Sequence, residues 1–279
     1  MIPAGAGEIP VDGDDLARRV AGSLRDSLHL RESDVTVTAE MTSPDAVDVL
    51  NVDLSGSVID NRYLSRTSIS LRPPRSTAGG TPAELQSFTL VGQPVTAFGA
   101  PVSVQVEANH VPATWLHDDS AQLWLAFRDE RSTTGSTSGR AVVEGEVAAV
   151  SAAATTVAAE VGKKKGVTIK DVKVTPRTTG PNRWSVDLEA KVTKGIASAN
   201  VTGHAQLRLD EDMVVHVEEL TAKAGGMIGK LAGGIIESML GRYRNRTIDL
   251  KKQTFAGAHV TAVDVELAER FKVTATLGS

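Results

Sequence analysis

The sequence predicts an α+β protein dominated by long strands, and three observations predict it. Strict apolar–polar alternation recurs along the chain, most cleanly in "RWSVDLEAKV" and "IASANVTGHAQLRLD". Two runs with helical spacing each precede strands in the same order, which points to two similar halves of about 15–130 and 141–279. Hydrophobic residues make up 41% of the chain but aromatics only 4%. The core therefore has to be built from Val, Leu, Ile and Ala. At 279 residues the chain is long enough for one large domain or two modest ones.

The first helix is predicted over "DDLARRVAGSLRDSLHLRESD". Asp14 or Asp15 can cap it, and Leu16, Val20, Leu24 and Leu28 recur four apart on one face. Residues 1–14 before it read as a flexible lead-in. "DVTVTAE", "AVDVLNVDLSGSV" and "TSISLRPP" then read as extended runs, "RPPRSTAGGTPAE" as a loop, and "LQSFTLVG", "PVSVQVEANHV" and "AQLWLAF" as three more strands. The polar, Gly/Ser/Thr-rich stretch 128–140 is the best internal loop. The second helix is predicted from about Glu146. It is rich in Ala, carries Lys163, Lys164 and Lys165 where the helix dipole favours cations, and ends at Gly166. Trp184, Val186, Leu188, Ala190 and Val192 then share the inner face of one strand, with Arg183, Ser185, Asp187, Glu189 and Lys191 outward. Ala197, Ala199, Val201, Gly203, Ala205, Leu207 and Leu209 share one face of the next. Small residues on a long strand let a sheet curl closely round a helix or leave room for a ligand.

"AGGMIGKLAGGIIESML", residues 224–240, places Gly225, Gly226, Gly229, Gly233 and Gly234 in one apolar run. Each glycine costs a helix interior up to about 1 kcal/mol against alanine. A membrane span needs about 20 apolar residues, and this run is shorter and broken by Lys230 and Glu237. A phosphate loop needs G-x-x-x-x-G-K-[ST], but Ala224 and Leu231 stand at two of the required positions. Close approach remains: Ile228, Leu231, Ile235 and Met239 form an apolar stripe on a helix, and the glycines beside it let a sheet backbone or an acyl chain come near.

The net charge is −4 and the pI about 5.9, which argues against a general nucleic-acid binder. The charge is uneven. Residues 1–140 hold eleven Arg, no Lys and eighteen acids, and residues 141–279 hold nineteen Lys and Arg against sixteen acids, so an anionic partner is expected to meet the second half. There is no Cys, so disulfides, thiolate metal sites and a Cys nucleophile are excluded. The six His form no HxH or HExxH pattern, and "HDD" at His117–Asp119 reads as a solvated loop before it reads as a metal site. "GSTSG" has Thr137 at its centre in a polar loop, which a nucleophile elbow does not tolerate. A hydrolase would need a nucleophile–base pair that no motif supplies. No metal and no cofactor are expected. The N-terminus has no basic region followed by an apolar run, so a cytoplasmic location is expected of the chain as it stands, and the cell envelope if an export segment has been removed.

The final run "GGIIESMLGRYRNRTIDLKKQTFAGAHVTAVDVELAERFKVTATLG", with "LARRVAGSLRDSLHL" and "NRYLSRTSISL" earlier, resembles the actinobacterial LmeA-like phospholipid-binding proteins, relatives of the tubular lipid-binding (TULIP) fold. The resemblance is of pattern and order over roughly 15–279. It implies strongly curved antiparallel sheets wrapped around amphipathic helices in a single domain of two halves. It also implies non-catalytic binding, or transfer, of a phospholipid or other acyl-chain lipid in an apolar groove, with peripheral membrane contact. Ile228, Gly229, Leu231, Gly233, Ile235, Met239, Ala197, Ala199 and Gly203 are the groove candidates. Arg242, Arg244 and Arg246, beside an apolar helix, are head-group candidates, although a helix C-terminus alone also favours cations. The alternative is an interaction module of the same fold whose groove is filled by its own side chains.

Overall fold

The structure, a computed structural model, describes residues 1–59, 79–128, 135–164, 166–225, 246–252, 254–255 and 258–278. Its strands form two sheets, one of eleven strands and one of five. The larger contains β1 (Ile2–Ala6), β2 (Thr36–Ser43), β3 (Ala46–Asp53), β4 (Val58–Ile59), β5 (Thr81–Ala97), β6 (Ala100–His117), β7 (Gln122–Phe127), β8 (Ser138–Glu146), β14 (Thr254–Phe255), β15 (Ala258–Leu267) and β16 (Arg270–Gly278). The smaller contains β9 (Thr168–Gly180), β10 (Arg183–Lys194), β11 (Ala197–Leu209), β12 (Val214–Ala224) and β13 (Thr247–Asp249). Pairing is antiparallel except for β3 and β4, which run parallel to β5. The larger sheet is therefore mixed. The polar loop at 128–140 does not part the sheets, because β8, β15 and β16 join the strands that precede it.

The α-helix α1 (Gly13–Leu28) is capped by Asp12, whose side chain accepts the Asp15 N–H at 2.8 Å. The cap thus lies two residues before the nearer of the two aspartates the sequence favours. Asp12 alone has extended backbone, while Asp14 and Asp15 serve the first turn, where carboxylates meet the positive dipole end. Leu16 and Val20 are fully buried, and Leu24 packs against the same core. Gly13 allows the helix start to touch β2: a Cβ there would lie 2.2 Å from the Ala39 carbonyl oxygen. Beneath α1 lies the main core, with Leu50, Leu85, Val111, Leu123 and Leu125 at its centre.

The lead-in expected at 1–14 is instead partly a strand. β1 pairs with β7 and buries Ile2 and Ala4 under α1. β6 is the hub. One edge pairs with β5, while the other pairs with β8 along Val102–Asn109 and then with β7 along Ala113–His117. His110, at φ 52, marks the switch. Thr137 is buried there, its hydroxyl donating to the His110 carbonyl at 2.8 Å, so "GSTSG" closes a strand junction.

The α-helix α2 (Val147–Lys164) is a strut between the sheets. The Val147 N–H donates to the Glu269 carbonyl, between β15 and β16, and the helix body lies along β9. It ends as the sequence predicts: Gly166 takes φ +68 and the Val167 N–H returns to the Gly162 carbonyl at 3.0 Å. No helix among the described residues is long and apolar enough to cross a membrane.

Candidate functional site

The smaller sheet carries the described groove candidates. β10 and β11 pair without interruption from Arg183↔Arg208 to Lys194↔Ala197; from Trp184↔Leu207 to Val192↔Ala199 apolar residues face apolar partners or Gly203, and at the end Ala197 faces Lys194. The rows run Val174–Leu188–Gly203–Ala222 and Pro176–Val186–Ala205–Leu220 across four strands. Ala197, Ala199 and Gly203 share this face. Ala199 is buried, and Ala197 and Gly203 are half-buried. A Cβ at Gly203 would meet Leu188 Cβ at 3.6 Å and the Thr221 carbonyl oxygen at 3.8 Å, which is ordinary contact. No described neighbour requires a glycine at that point.

At the β9 edge a cleft of about 840 Å³ opens between α2, β9 and the β15–β16 turn. Val147, Ala148, Val174, Pro176 and Ala268 supply apolar wall, and Arg270 lies at its border. Small-molecule sites commonly fall between about 300 and 1,000 Å³. Ile228, Gly229, Leu231, Gly233, Ile235, Met239, Arg242 and Arg244 lie outside the described residues. Arg246 is exposed just before β13, and its carbonyl accepts the Val217 N–H at 3.0 Å.

The opposite face is polar and structurally committed. His204 Nδ1 donates to Asp187 Oδ1 at 2.6 Å, and Arg177 lies 3.5 Å from the other carboxylate oxygen. His216 Nε2 contacts Asp210 Oδ2 at 2.7 Å, while Arg183 and Arg208 both hold Glu218. Ser185, expected outward, is buried. It sits between its cross-strand neighbours Arg177 and Gln206, whose longer side chains flank the short hydroxyl. The His204 hydrogen bond, helped by the charges of His204 and Arg177, holds the Asp187 carboxyl below its usual range. Asp210 is lowered by the His216 hydrogen bond and by the Val214 N–H.

A carboxyl depressed in the folded state stabilises the protein above its unfolded pKa of about 4 and loses that contribution as pH falls through the lower folded value. Stability to denaturant is therefore expected to drop on acidification below about pH 4. Asp187→Asn and Asp210→Asn should each flatten that slope. Unchanged slopes would remove these pairs from the account.

The "HDD" turn is also structural. Asp118 accepts from the Ser120 N–H, the Ser120 hydroxyl, the Gln122 N–H and Trp124 Nε1, all within 3.0 Å. Burial pushes its carboxyl up, and the hydrogen bonds from Ser120, Trp124 and Gln122 outweigh that and hold it below the usual range. His117 Nε2 contacts the Gly7 carbonyl at 2.9 Å. Trp115 and Trp124 are both buried, Trp115 donating to the Pro44 carbonyl at 2.7 Å. Among the described residues no three His, Asp or Glu side chains are grouped to hold a metal ion.

Comparison with known proteins finds no matching family model, no similar curated protein and no similar solved structure.

Proposed function

We propose that this chain binds an acyl-chain lipid, without chemical turnover, against the apolar face of the smaller sheet and the cleft at its β9 edge. The observation that carries the reading is Gly203. It sits in an apolar row between Leu188 and Ala222, with room for a side chain and no described contact that a side chain would violate. A wall of small residues costs a protein packing and favours a ligand that fills the same volume. Leu188, Val186 and Val174 supply the aliphatic surface that a hydrocarbon chain needs. The histidines of this sheet are bonded to carboxylates on the other face, which suits a binding role.

The test is organic extraction of the purified protein followed by mass spectrometry, repeated on Gly203→Leu. Co-purified lipid is expected in the parent chain and should be lost in the variant. Overpacking a filled core costs about 1–3 kcal/mol, whereas filling an open groove leaves the denaturant midpoint nearly unchanged. A collapsed midpoint in a protein that never held lipid would show the face to be filled by protein and overturn the reading.

A further inference from the structure

One end of the smaller sheet is built unlike the other. β9 starts there, β10 ends there, and the two-residue turn Gly195–Ile196 leads into β11. The C-terminus of α2 is held at the same end, since Val167, next to Thr168, bonds back to Gly162, and Thr168 pairs with Thr193. These connections gather Lys163, Lys164, Lys170, Lys191 and Lys194, all exposed, around one tip. Residues 161–170 and 190–200 contain no Asp or Glu. The nearest acids in sequence are Glu160, Asp171 and Glu189. The opposite end carries Asp210, Glu211 and Asp212 in the β11–β12 turn. None of the five lysines makes an ion pair among the described residues.

Two features of this tip work against stability. Lys170 and Lys191 are directly paired across β9 and β10, and like charges placed opposite destabilise a sheet. Ile196 is wholly exposed, at 108% of its reference area. Gly195 supplies the positive φ that a tight hairpin turn requires, at +59. Its neighbour is free to be polar, and a β-branched apolar residue there gains no burial in the protein. Half-exposed Val157 and Val161 add apolar surface on the last turns of α2. The helix dipole accounts for Lys163 and Lys164, but not for Lys170, Lys191 or Lys194.

We infer that this tip docks on an anionic phospholipid bilayer, with Ile196 entering the interfacial region and the lysines engaging head groups. An exposed apolar turn residue at an end of the sheet that also carries ammonium groups matches a surface whose outer layer is anionic and whose interior is hydrocarbon. A nucleic acid or an acidic protein would engage the lysines and gain nothing from a fully solvated isoleucine. The tip borders the groove face at Ala197, but Ile196→Ser leaves Gly203 and its row untouched, so vesicle capture and lipid content are read separately and can fail independently.

The experiment is flotation of the full chain with phosphatidylcholine vesicles, with and without phosphatidylglycerol. Capture is expected only with phosphatidylglycerol and should fade with salt. Ile196→Ser and the double variant Lys191→Glu/Lys194→Glu should each weaken partitioning by roughly tenfold or more while leaving the circular dichroism spectrum unchanged. In Ile196→Trp the added emission should shift to the blue on phosphatidylglycerol vesicles and stay put with duplex DNA. Failure to float, capture that survives Ile196→Ser undiminished, or equal capture by DNA without dependence on residue 196 would overturn the proposal.

Discussion

A chain ending at residue 135 is expected to show no cooperative unfolding transition. The cut removes β8, which pairs with β6 along Val102–Asn109, and with it β16, which pairs with β8 along its whole length. Eight consecutive positions of the central strand would lose their partner. Ala108, now almost wholly covered, would lose its flanking strand, and Thr137, which closes the junction at His110, would be gone. A new open edge of that length is a template for self-association. Net stabilities are only about 5–15 kcal/mol, and losing a paired strand together with its layer consumes most of that margin. Urea unfolding of the 1–135 fragment, followed by far-ultraviolet circular dichroism, should give a broad, sloping signal or an aggregating sample. A sigmoidal transition with a slope proper to its length would show the first part to fold alone.

Much of this architecture is legible where one residue pattern has one outlet. Leu16, Val20 and Leu24 sit four apart with nothing to break the run, and they are the face that α1 buries. Alternation in β10 and β11 sets the face on which Ala197, Ala199 and Gly203 lie. Other features depend on partners distant in sequence. "IPAGA" has too few β-branched residues and too much Pro and Gly to announce a strand, and β1 exists because β7 and α1 cover it. β5 and β6 run to 17 and 18 residues through Pro82, Pro94 and Pro112, which local propensity reads as stops. The parallel pairing of β3 with β5 has no local signature at all. The basic tip was hidden for the same reason. Lys170 and Lys191 become neighbours only through the β9–β10 register.

Thr155→Val is expected to destabilise the protein more than Ser151→Ala, although the two hydroxyls perform the same task. Among the described residues β9 is an edge strand, and its outward backbone groups meet no strand there. α2 answers them with side chains. Thr155 Oγ1 accepts the Val172 N–H at 3.1 Å and faces the Val172 carbonyl at 3.2 Å. Ser151 Oγ accepts the Val174 N–H at 3.0 Å and faces the Val174 carbonyl at 3.3 Å. The spacing fits: four residues of helix rise about 6 Å, and two residues of strand about 6.7 Å. Removing a hydroxyl orphans a backbone donor, at about 1–3 kcal/mol when water cannot replace it. Val172 is buried, so Thr155→Val, which keeps the side-chain shape, should fall near the upper end of that range. Ser151 and Val174 line the cleft of about 840 Å³, so water can reach the orphaned group there and the loss should fall near the lower end. Denaturant midpoints of the two single variants decide this. Equal losses would mean that the cleft admits no water to Val174, and a negligible loss at Thr155 would show that α2 holds β9 by packing alone.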